Sequence, residues 1–224
     1  MRFGTGNSRR GGRPRETIQG EIMRLPGILE FTKQLLGGHL SPGDVCLDAT
    51  AGNGRDTAFL AERVGPEGVV YAFDVQREAL DAASARLTAA GLAERVRLIR
   101  DGHEHLARHV APEHVGRIRA ATYNLGYLPG GDHGVVTRAA TTLASLEALL
   151  PLLAEGGLAT IHIYTGHPGG AAEGEQVAGW AAALDFGRYR VLRMDFPNKP
   201  RNRETLLVVQ VGDGRGGKNG QGRS

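Results

Sequence analysis

Apolar residues recur along this chain with two alternating periods, one typical of buried strands and one typical of amphipathic helices. Short runs rich in aliphatic and aromatic residues predict strands at about 44–48, 69–73, 95–100, 118–123, 157–163, 189–195 and 205–211. Apolar residues spaced by three or four positions predict helices at about 18–40, 55–64, 77–90, 103–109, 135–154 and 171–184. The first of these helices is interrupted near Pro26 and Gly27.

Strand and helix alternate over most of the chain, so the sequence predicts an α/β fold. Repeated strand–helix units favour a parallel sheet with right-handed crossovers and with helices on both faces. The last two strands have no helix between them, and we expect a hairpin that places one antiparallel strand in a seven-stranded, mostly parallel sheet. A chain of 224 residues is long enough for one domain with a substantial core, which we assign to residues 18–211.

Charge separates the two ends of the chain from this domain. The whole chain carries a formal net charge of +3, residues 1–16 carry +4 and residues 212–224 carry +2, which leaves −3 for the remainder. Both ends are rich in Gly, Ser, Asn and Arg, so we expect disordered tails at 1–17 and 212–224. Such tails bind polyanions loosely or only aid solubility, and the basic pI alone does not identify a nucleic-acid partner.

We expect a cytoplasmic protein without a membrane anchor. No apolar run is long enough to span a bilayer, and the N-terminus lacks the apolar centre of a signal peptide. The single cysteine, Cys46, excludes an internal disulfide and a cysteine-based zinc site, and it fits a reducing compartment.

A glycine turn follows the first strand. It reads Asp-Ala-Thr-Ala-Gly-Asn-Gly-Arg-Asp-Thr at positions 48–57 and leads into a helix-like run. Gly52 and Gly54 lack a Cβ atom, so the backbone can turn sharply and a ligand can approach it closely. Asp74 follows the second strand, where a carboxylate can accept hydrogen bonds from both hydroxyl groups of a ribose. The turn and the acid together predict a bound nucleoside cofactor.

The residues of the turn favour S-adenosylmethionine (SAM) over a dinucleotide. The dinucleotide fingerprint has a third glycine, and Thr57 stands in its place. Asp48 and Asp56 bracket the turn, and two carboxylates would repel a pyrophosphate. The same two acids suit the ammonium and sulfonium groups of SAM. An NAD-dependent oxidoreductase stays the alternative on this fold.

The third strand is followed by candidates for the adenine end of the cofactor site. Asp101 can accept a hydrogen bond from the exocyclic amine of adenine, and it can also cap the helix that follows. His103 and His105, with His109 and His114, raise the question of a metal site. A His-x-His pair at a helix start does not place both rings on one face, and no carboxylate spacing completes a ligand set, so we expect no metal.

The fourth strand leads into Tyr-Asn-Leu-Gly-Tyr-Leu-Pro-Gly-Gly-Asp at 123–132. This segment resembles the Asp/Asn-Pro-Pro-Tyr loop of methyltransferases that act on exocyclic amines, with Leu125 and Gly126 in place of the prolines. Asn124 can accept the hydrogens of an amine and so aim its lone pair, and Tyr127 can stack on an extruded base. The alternative is that Asn124 is a turn residue and Tyr127 a half-buried aromatic residue.

The fifth strand leads into a second glycine-rich loop, Tyr-Thr-Gly-His-Pro-Gly-Gly-Ala-Ala-Glu at 164–173. Its glycines suit a loop that is shaped around a ligand. Tyr164, His167 and Glu173 are the titratable residues nearest to the expected substrate, although Glu173 also fits a first-turn acid of the next helix. His162 lies inside the strand and is expected to be a packed core residue.

These motifs, in this order over about residues 40–211, resemble the YtqB/MnmM family. The resemblance implies the class I methyltransferase (Rossmann-like) fold, SAM as the cofactor, and methylation of 5-aminomethyluridine to 5-methylaminomethyluridine at the wobble position of tRNA. The implied partner is the anticodon stem-loop of tRNA. The oligomeric state stays open, with a homodimer as one candidate.

The candidate site residues form three groups. The cofactor-binding candidates are Asp48, Thr50, Gly52, Asn53, Gly54, Asp56, Thr57, Asp74, Gln76, Asp101, His103 and Asn124. The catalytic candidates are Asn124, Tyr127 and His167. The substrate-binding candidates are Tyr127, Leu128, Pro129, Tyr164, His167, Gly169, Gly170 and Glu173.

We expect a direct in-line transfer to nitrogen without a covalent enzyme intermediate. Methylation at carbon 5 of a pyrimidine usually needs a thiol, and Cys46 lies inside a strand before the glycine turn. An alkyl amine is largely protonated at neutral pH, so a base must take a proton, and His167 and His103 are the candidates. Without the resemblance, the residues also leave open an rRNA methyltransferase, a small-molecule amine methyltransferase and a non-catalytic RNA-binding protein.

Overall fold

The computed structural model describes Met1 and residues 24–126 and 136–212. Seven strands lie within these residues: β1 Val45–Asp48, β2 Val69–Phe73, β3 Val96–Ile99, β4 Ile118–Leu125, β5 Leu153–Tyr164, β6 Tyr189–Met194 and β7 Glu204–Val211. They form one sheet in the order β3-β2-β1-β4-β5-β7-β6. Strand β7 pairs antiparallel with β5 and with β6, and the other pairings are parallel. The predicted mostly parallel sheet with a final hairpin is confirmed.

In the part of the chain that the structure describes, five α-helices cover the two faces of the sheet. They are α1 Ile28–His39, α2 Arg55–Val64, α3 Arg77–Ala89, α4 Ala139–Leu149 and α5 Gly170–Ala183. One apolar cluster joins Leu36, Leu60 and Leu87 of α1, α2 and α3 to the sheet. A second cluster joins Leu146 of α4 and Val177 of α5 to the opposite face. Burial of these apolar stripes on both faces holds the layers together.

The strand order places a crevice at the carboxyl ends of β1 and β4. The chain moves outward from β1 through β2 to β3, then crosses back to β4 on the other side of β1. Helices that leave the two neighbouring strands therefore diverge and leave a gap, which is where ligands bind in open α/β sheets. The loops after β1, β2, β3, β4 and β5 all open at this edge.

Three of the predicted helices differ from those in the structure. The helix expected at 135–154 ends at Leu149, a 3-10 turn follows at Leu150–Leu152, and β5 begins at Leu153. Pro151 explains the early end, because it lacks an N–H group and clashes with the preceding turn. The segment expected as a helix at 103–109 is a 3-10 helix at His103–Arg108, a form common in such short segments.

The first helix begins only at Ile28, after the proline and glycine that were expected to interrupt it. Residues 18–23, the tail at 2–17 and positions 213–224 lie outside the described residues, as do Tyr127, Leu128 and Pro129 of the fourth-strand loop. Within the described ranges, no helix combines the length and the apolar character needed to cross a membrane.

Candidate functional site

The glycine turn after β1 depends on left-handed backbone conformations. Gly52 has a φ of 51° and Gly54 a φ of 77°, in a region that side-chain-bearing residues rarely adopt. A Cβ atom on Gly54 would lie 2.9 Å from the Cα atom of Ala83 in α3. Glycine is therefore required both for the turn and for the close approach of α3.

The buried side chain of Asp48 stabilises this turn through hydrogen bonds. Its side chain is fully buried, accepts a 2.6 Å hydrogen bond from the Thr57 hydroxyl and accepts a 3.2 Å bond from the Thr50 N–H. Burial raises the pKa of Asp48 to about 7, and the neighbouring negative charges of Asp56 and Asp74 add to the effect. Asp48, Gly54 and Thr57 do not line the cavity described below, although the sequence predicted that they contact the cofactor.

We expect Asp48→Asn to be more stable than the wild type at pH 8 and to lose this advantage towards pH 4. The pKa rises from 3.8 to about 7 on folding, so the folded chain binds more protons in this window and the wild type loses stability as pH increases through it. Between pH 5 and pH 8 the protein crosses about two pH units of this window, each worth about 1.4 kcal/mol, so the loss is on the order of 3 kcal/mol. Urea unfolding at pH 5 and pH 8 measures it. Asp81→Asn, at an exposed position in α3, is the control, and a pH profile of Asp48→Asn parallel to that of the wild type would contradict the assignment.

Asp74 joins the end of β2 to the glycine turn. One carboxylate oxygen accepts a 2.9 Å hydrogen bond from the Gly52 N–H, and the other accepts a 2.9 Å bond from the Gln76 N–H. Asp74 and Gln76 line the cavity beside the turn. This is the geometry expected for a carboxylate that accepts the hydroxyl groups of a ribose, because the backbone fixes its orientation.

Asp101 is tied to two histidines. Its two carboxylate oxygens lie 2.8 Å from His105 Nδ1 and 2.8 Å from His109 Nε2, and the first also accepts from the Gly102 N–H. These hydrogen bonds hold the pKa of Asp101 well below its usual range. No side-chain bond caps the following helix, so the capping role considered for Asp101 is wrong. Among the residues with described positions, no group of three or more His, Cys, Asp or Glu side chains could hold a metal ion.

His103 is buried against the start of the glycine turn. Its Nδ1 lies 3.2 Å from the Ala49 carbonyl oxygen, which can only accept, so Nδ1 carries the proton. Burial lowers the pKa of His103, which therefore stays neutral near pH 7. The ring lies at the cavity wall near the ends of β1 and β3.

Asn124 lies at the carboxyl end of β4 with a fixed side-chain orientation. Its backbone N–H donates to the Thr50 hydroxyl at 2.8 Å, and its side-chain Nδ2 donates to an Asp56 carboxylate oxygen at 2.9 Å. A carboxylate only accepts, so the amide must turn its N–H₂ end towards Asp56. The amide oxygen is left as an acceptor in a residue that lines the cavity.

The loop after β5 places Tyr164 and His167 beside the carboxyl end of β4, where Asn124 lies. A Cβ atom on Gly126 would lie 3.5 Å from the His167 ring and 3.7 Å from the Tyr164 side chain. Both residues line the cavity, and burial raises the pKa of Tyr164. His162, which precedes them in β5, bonds to the Thr32 hydroxyl at 2.8 Å and is the core residue that was expected.

Glu173, Gly169 and Gly170 lie behind this loop and do not line the cavity. Glu173 is buried and accepts hydrogen bonds from the hydroxyl groups of Thr137 and Thr142, at 2.8 and 2.7 Å. It thereby joins α5 to the first turn of α4. The structure places Glu173 in packing between helices, because the first turn of α5 faces α4 and not the crevice.

The site residues surround one cavity of about 1790 Å³. Such a volume exceeds the roughly 300–1,000 Å³ of a typical small-ligand pocket and leaves room for a second ligand beside the cofactor. Of the candidates from the sequence, it is lined by Thr50, Gly52, Asn53, Asp56, Asp74, Gln76, Asp101, His103, Asn124, Tyr164 and His167. Sequence reasoning missed Lys33, Phe59, Arg63, Arg138 and Arg203, which also line it. No motif marks these residues, since their place depends on how α1 and the β6–β7 link pack.

Comparison with protein families and curated proteins gives matches over most of the chain. The family described as "Putative rRNA methylase" matches residues 70–210. The chloroplastic tRNA (mnm(5)s(2)U34)-methyltransferase of Arabidopsis thaliana is 36% identical over 169 residues, which are 72% of this chain and 61% of that protein. This chain thus spans less than two thirds of that relative.

Solved structures match over a similar share of the chain. A "putative rRNA-methylase" from Clostridium thermocellum is 35% identical, with a TM-score of 0.81 over 84% of this chain and 100% of the other. A "putative methyltransferase" from Streptococcus mutans in complex with SAH is 32% identical, with a TM-score of 0.75 over 84% of this chain and 99% of the other.

Proposed function

This chain belongs to the rRNA methylase family of SAM-dependent methyltransferases, and we propose that it methylates the amine of 5-aminomethyluridine at the tRNA wobble position. The SAM cofactor and the methyltransferase class predicted from the sequence are confirmed by these relatives. The name of the Arabidopsis relative supports tRNA as the RNA class. The product of the proposed reaction is 5-methylaminomethyluridine.

The residues at the carboxyl ends of β1, β2 and β3 fit SAM. Asp74 offers carboxylate oxygens beside the glycine turn for a ribose, and Asp101 and His103 lie at the next strand end for the adenine. Two features oppose a dinucleotide: Thr57 fills the third glycine position, and the carboxylate of Asp56, which lines the cavity, would repel a pyrophosphate. Bound SAM supplies an electrophilic methyl group on a cationic sulfur.

The orientation of Asn124 is the observation that carries the proposed amine chemistry. Asp56 takes up the N–H₂ end of the amide, so the amide oxygen is the part of Asn124 left to face a substrate. That oxygen can accept an N–H of the incoming amine and so direct the nitrogen lone pair at the methyl group. When the N–C bond forms, the sulfur–methyl bond would break and leave a neutral thioether, so the positive charge would pass from sulfur to nitrogen, where the Asp56 carboxylate beside Asn124 would stabilise it.

A base must take one proton from the amine nitrogen. His167 lines the cavity next to Gly126, on the side of the crevice formed by β4 and β5. His103 donates its Nδ1 proton to the Ala49 carbonyl oxygen, and its ring lies near the ends of β1 and β3, at the cofactor end of the cavity. We therefore assign the proton acceptor to His167. Tyr127, the residue proposed to stack on the uracil ring, lies outside the described residues.

Mass spectrometry of nucleosides from tRNA that carries 5-aminomethyluridine tests this function. After incubation with purified protein and SAM, we expect a gain of one methyl group on that nucleoside. If only rRNA or a small amine gains the methyl group, the methyltransferase stands and the tRNA substrate is wrong. If the gain appears on carbon 5 or a ring nitrogen of another nucleoside, the role of Asn124 as an amine acceptor is also wrong.

We propose the cytoplasm as the location, in keeping with the single buried cysteine.

A further inference from the structure

Five basic side chains line the cavity without a carboxylate partner in the described part of the chain. They are Lys33, Arg55, Arg63, Arg138 and Arg203. Each is exposed, and none belongs to an ion pair, although other arginines and lysines such as Arg24, Arg193 and Lys199 do pair with acids. Cations gathered around one opening and left without acids produce a positive potential there.

Two of these cations are held together by an aromatic ring. Lys33 Nζ of α1 lies 5.7 Å from the centre of the Phe59 ring, and the Arg63 guanidinium of α2 lies 5.2 Å from it. The guanidinium also lies 3.5 Å from where a Cβ atom on Gly37 would lie, which is van der Waals distance from α1. The ring positions both cations at the cavity, where they repel each other unless an anion lies between them.

The acids that line the same cavity leave these cations uncompensated. Asp74, Asp101 and Glu104 follow β2 and β3 at the cofactor end of the cavity, where Asp74 accepts from backbone N–H groups and Asp101 bonds to histidines. Glu30 is paired with Arg24 at 3.0 Å, and Asp56 is engaged by Asn124. The cavity is thus acidic where the cationic cofactor binds and basic on the side of α1 and α2.

We propose that Lys33, Arg55, Arg63, Arg138 and Arg203 form a phosphate-binding rim, which holds the RNA backbone on both sides of the nucleotide inserted into the cavity. Lys33, Arg55 and Arg63 lie on α1 and α2, and Arg138 and Arg203 lie at the start of α4 and before β7. Both groups border the strand ends that carry Asn124 and Tyr164. This inference rests on the proposed function only in taking RNA as the substrate; it does not depend on which nucleotide is methylated.

The rim differs from the basic tails in what it can select. Tails rich in glycine and arginine add charge without fixed geometry, and they attract any polyanion. Cations fixed around the cavity bring phosphates to set places, so that the base between them lies over Asn124. A free mononucleotide would engage few of the five cations, whereas an RNA strand engages them together.

The salt dependence of RNA binding by the full-length protein tests the rim. The test variant is Lys33→Gln with Arg63→Gln, which removes two charges and keeps a polar side chain at each position beside Phe59. Its control is Arg117→Gln with Arg188→Gln, which removes two exposed arginines next to the amino ends of β4 and β6, at the opposite edge of the sheet. An unmodified anticodon stem-loop RNA serves as the probe, and its affinity is measured by fluorescence anisotropy over a range of salt concentrations.

We expect the slope of log K against log salt to fall in magnitude by about 1.4–1.8 in the rim variant, as for two lost phosphate contacts. The control keeps the wild-type slope within error, and both variants keep the wild-type affinity for SAM. Equal slopes in the rim variant and the wild type would overturn the rim, even if tRNA is methylated. An equal fall in rim variant and control would also overturn it, because net charge alone would then explain binding. A lower slope in the rim variant together with failure to methylate 5-aminomethyluridine would keep the rim and reject the proposed nucleoside.

Discussion

Asn124→Ala is expected to lower kcat for methyl transfer by about 100-fold or more while the Kd for SAM changes little. Alanine removes the amide oxygen that would aim the amine, yet the backbone N–H that bonds to Thr50 stays in place. The glycine turn and Asp74 are untouched, so the cofactor site keeps its shape. Single-turnover methylation of the modified tRNA measures the rate, and calorimetry measures the Kd for SAM.

Two further variants distinguish loss of amine orientation by Asn124 from a general effect of removing side chains from the cavity wall. Asp56→Asn offers both an acceptor and a donor to Asn124, so the amide is no longer restricted to one orientation, and we expect an intermediate loss of kcat. Gln34→Ala removes another amide that lines the cavity, on α1, and is expected to leave kcat near the wild-type value. If Asn124→Ala and Gln34→Ala have the same kcat, Asn124 does not aim the substrate.

Asp74→Ala is expected to weaken SAM binding about 100-fold, with kcat at saturating SAM close to the wild-type value. The variant loses the carboxylate proposed to accept the ribose hydroxyls, and it leaves the N–H groups of Gly52 and Gln76 without their acceptor. Hydrogen bonds to a charged group are worth about 1.5–3 kcal/mol each, and 1.4 kcal/mol corresponds to a factor of ten. Calorimetry with SAM gives the Kd directly.

Glu78→Ala is the matched control for Asp74→Ala. It removes the same charge from an exposed position in the first turn of α3, four residues along the chain. An equal loss of SAM affinity in both variants would point to long-range electrostatics rather than to a ribose contact. An unchanged Kd in Asp74→Ala would show that this acid does not contact the cofactor. Together, the Asn124 and Asp74 variants separate loss of rate from loss of binding.

Local patterns in the sequence were enough to predict the architecture and the SAM cofactor. Strand and helix periods are properties of neighbouring residues, and parallel strands joined by helices bring their carboxyl ends to one edge. The glycine turn could also be predicted from the sequence, because only glycine readily adopts the positive φ angles found at Gly52 and Gly54. The family, the fold and the SAM cofactor that followed from these motifs are confirmed.

The ends of helices could be predicted from the sequence only at residues that restrict the backbone, such as proline. The first described helix begins at Ile28, directly after Pro26 and Gly27, the residues at which the sequence predicted a break. Pro151 was passed over in the fourth predicted helix, although the same constraint ends α4 and allows β5 to begin at Leu153.

What the sequence by itself determined is therefore the sheet, the turn and the set of polar residues at its edge. Only the tertiary structure decided how these residues act on one another. Asn124 and Asp56 lie 68 positions apart, and their contact is what orients the amide. Burial, which depends on every layer packed around a group, placed Asp48 behind the site and Glu173 between helices. The packing of α1 on α2 likewise brought Lys33 and Arg63 to one ring. Such contacts depend on long-range packing, and no local period or motif encodes them.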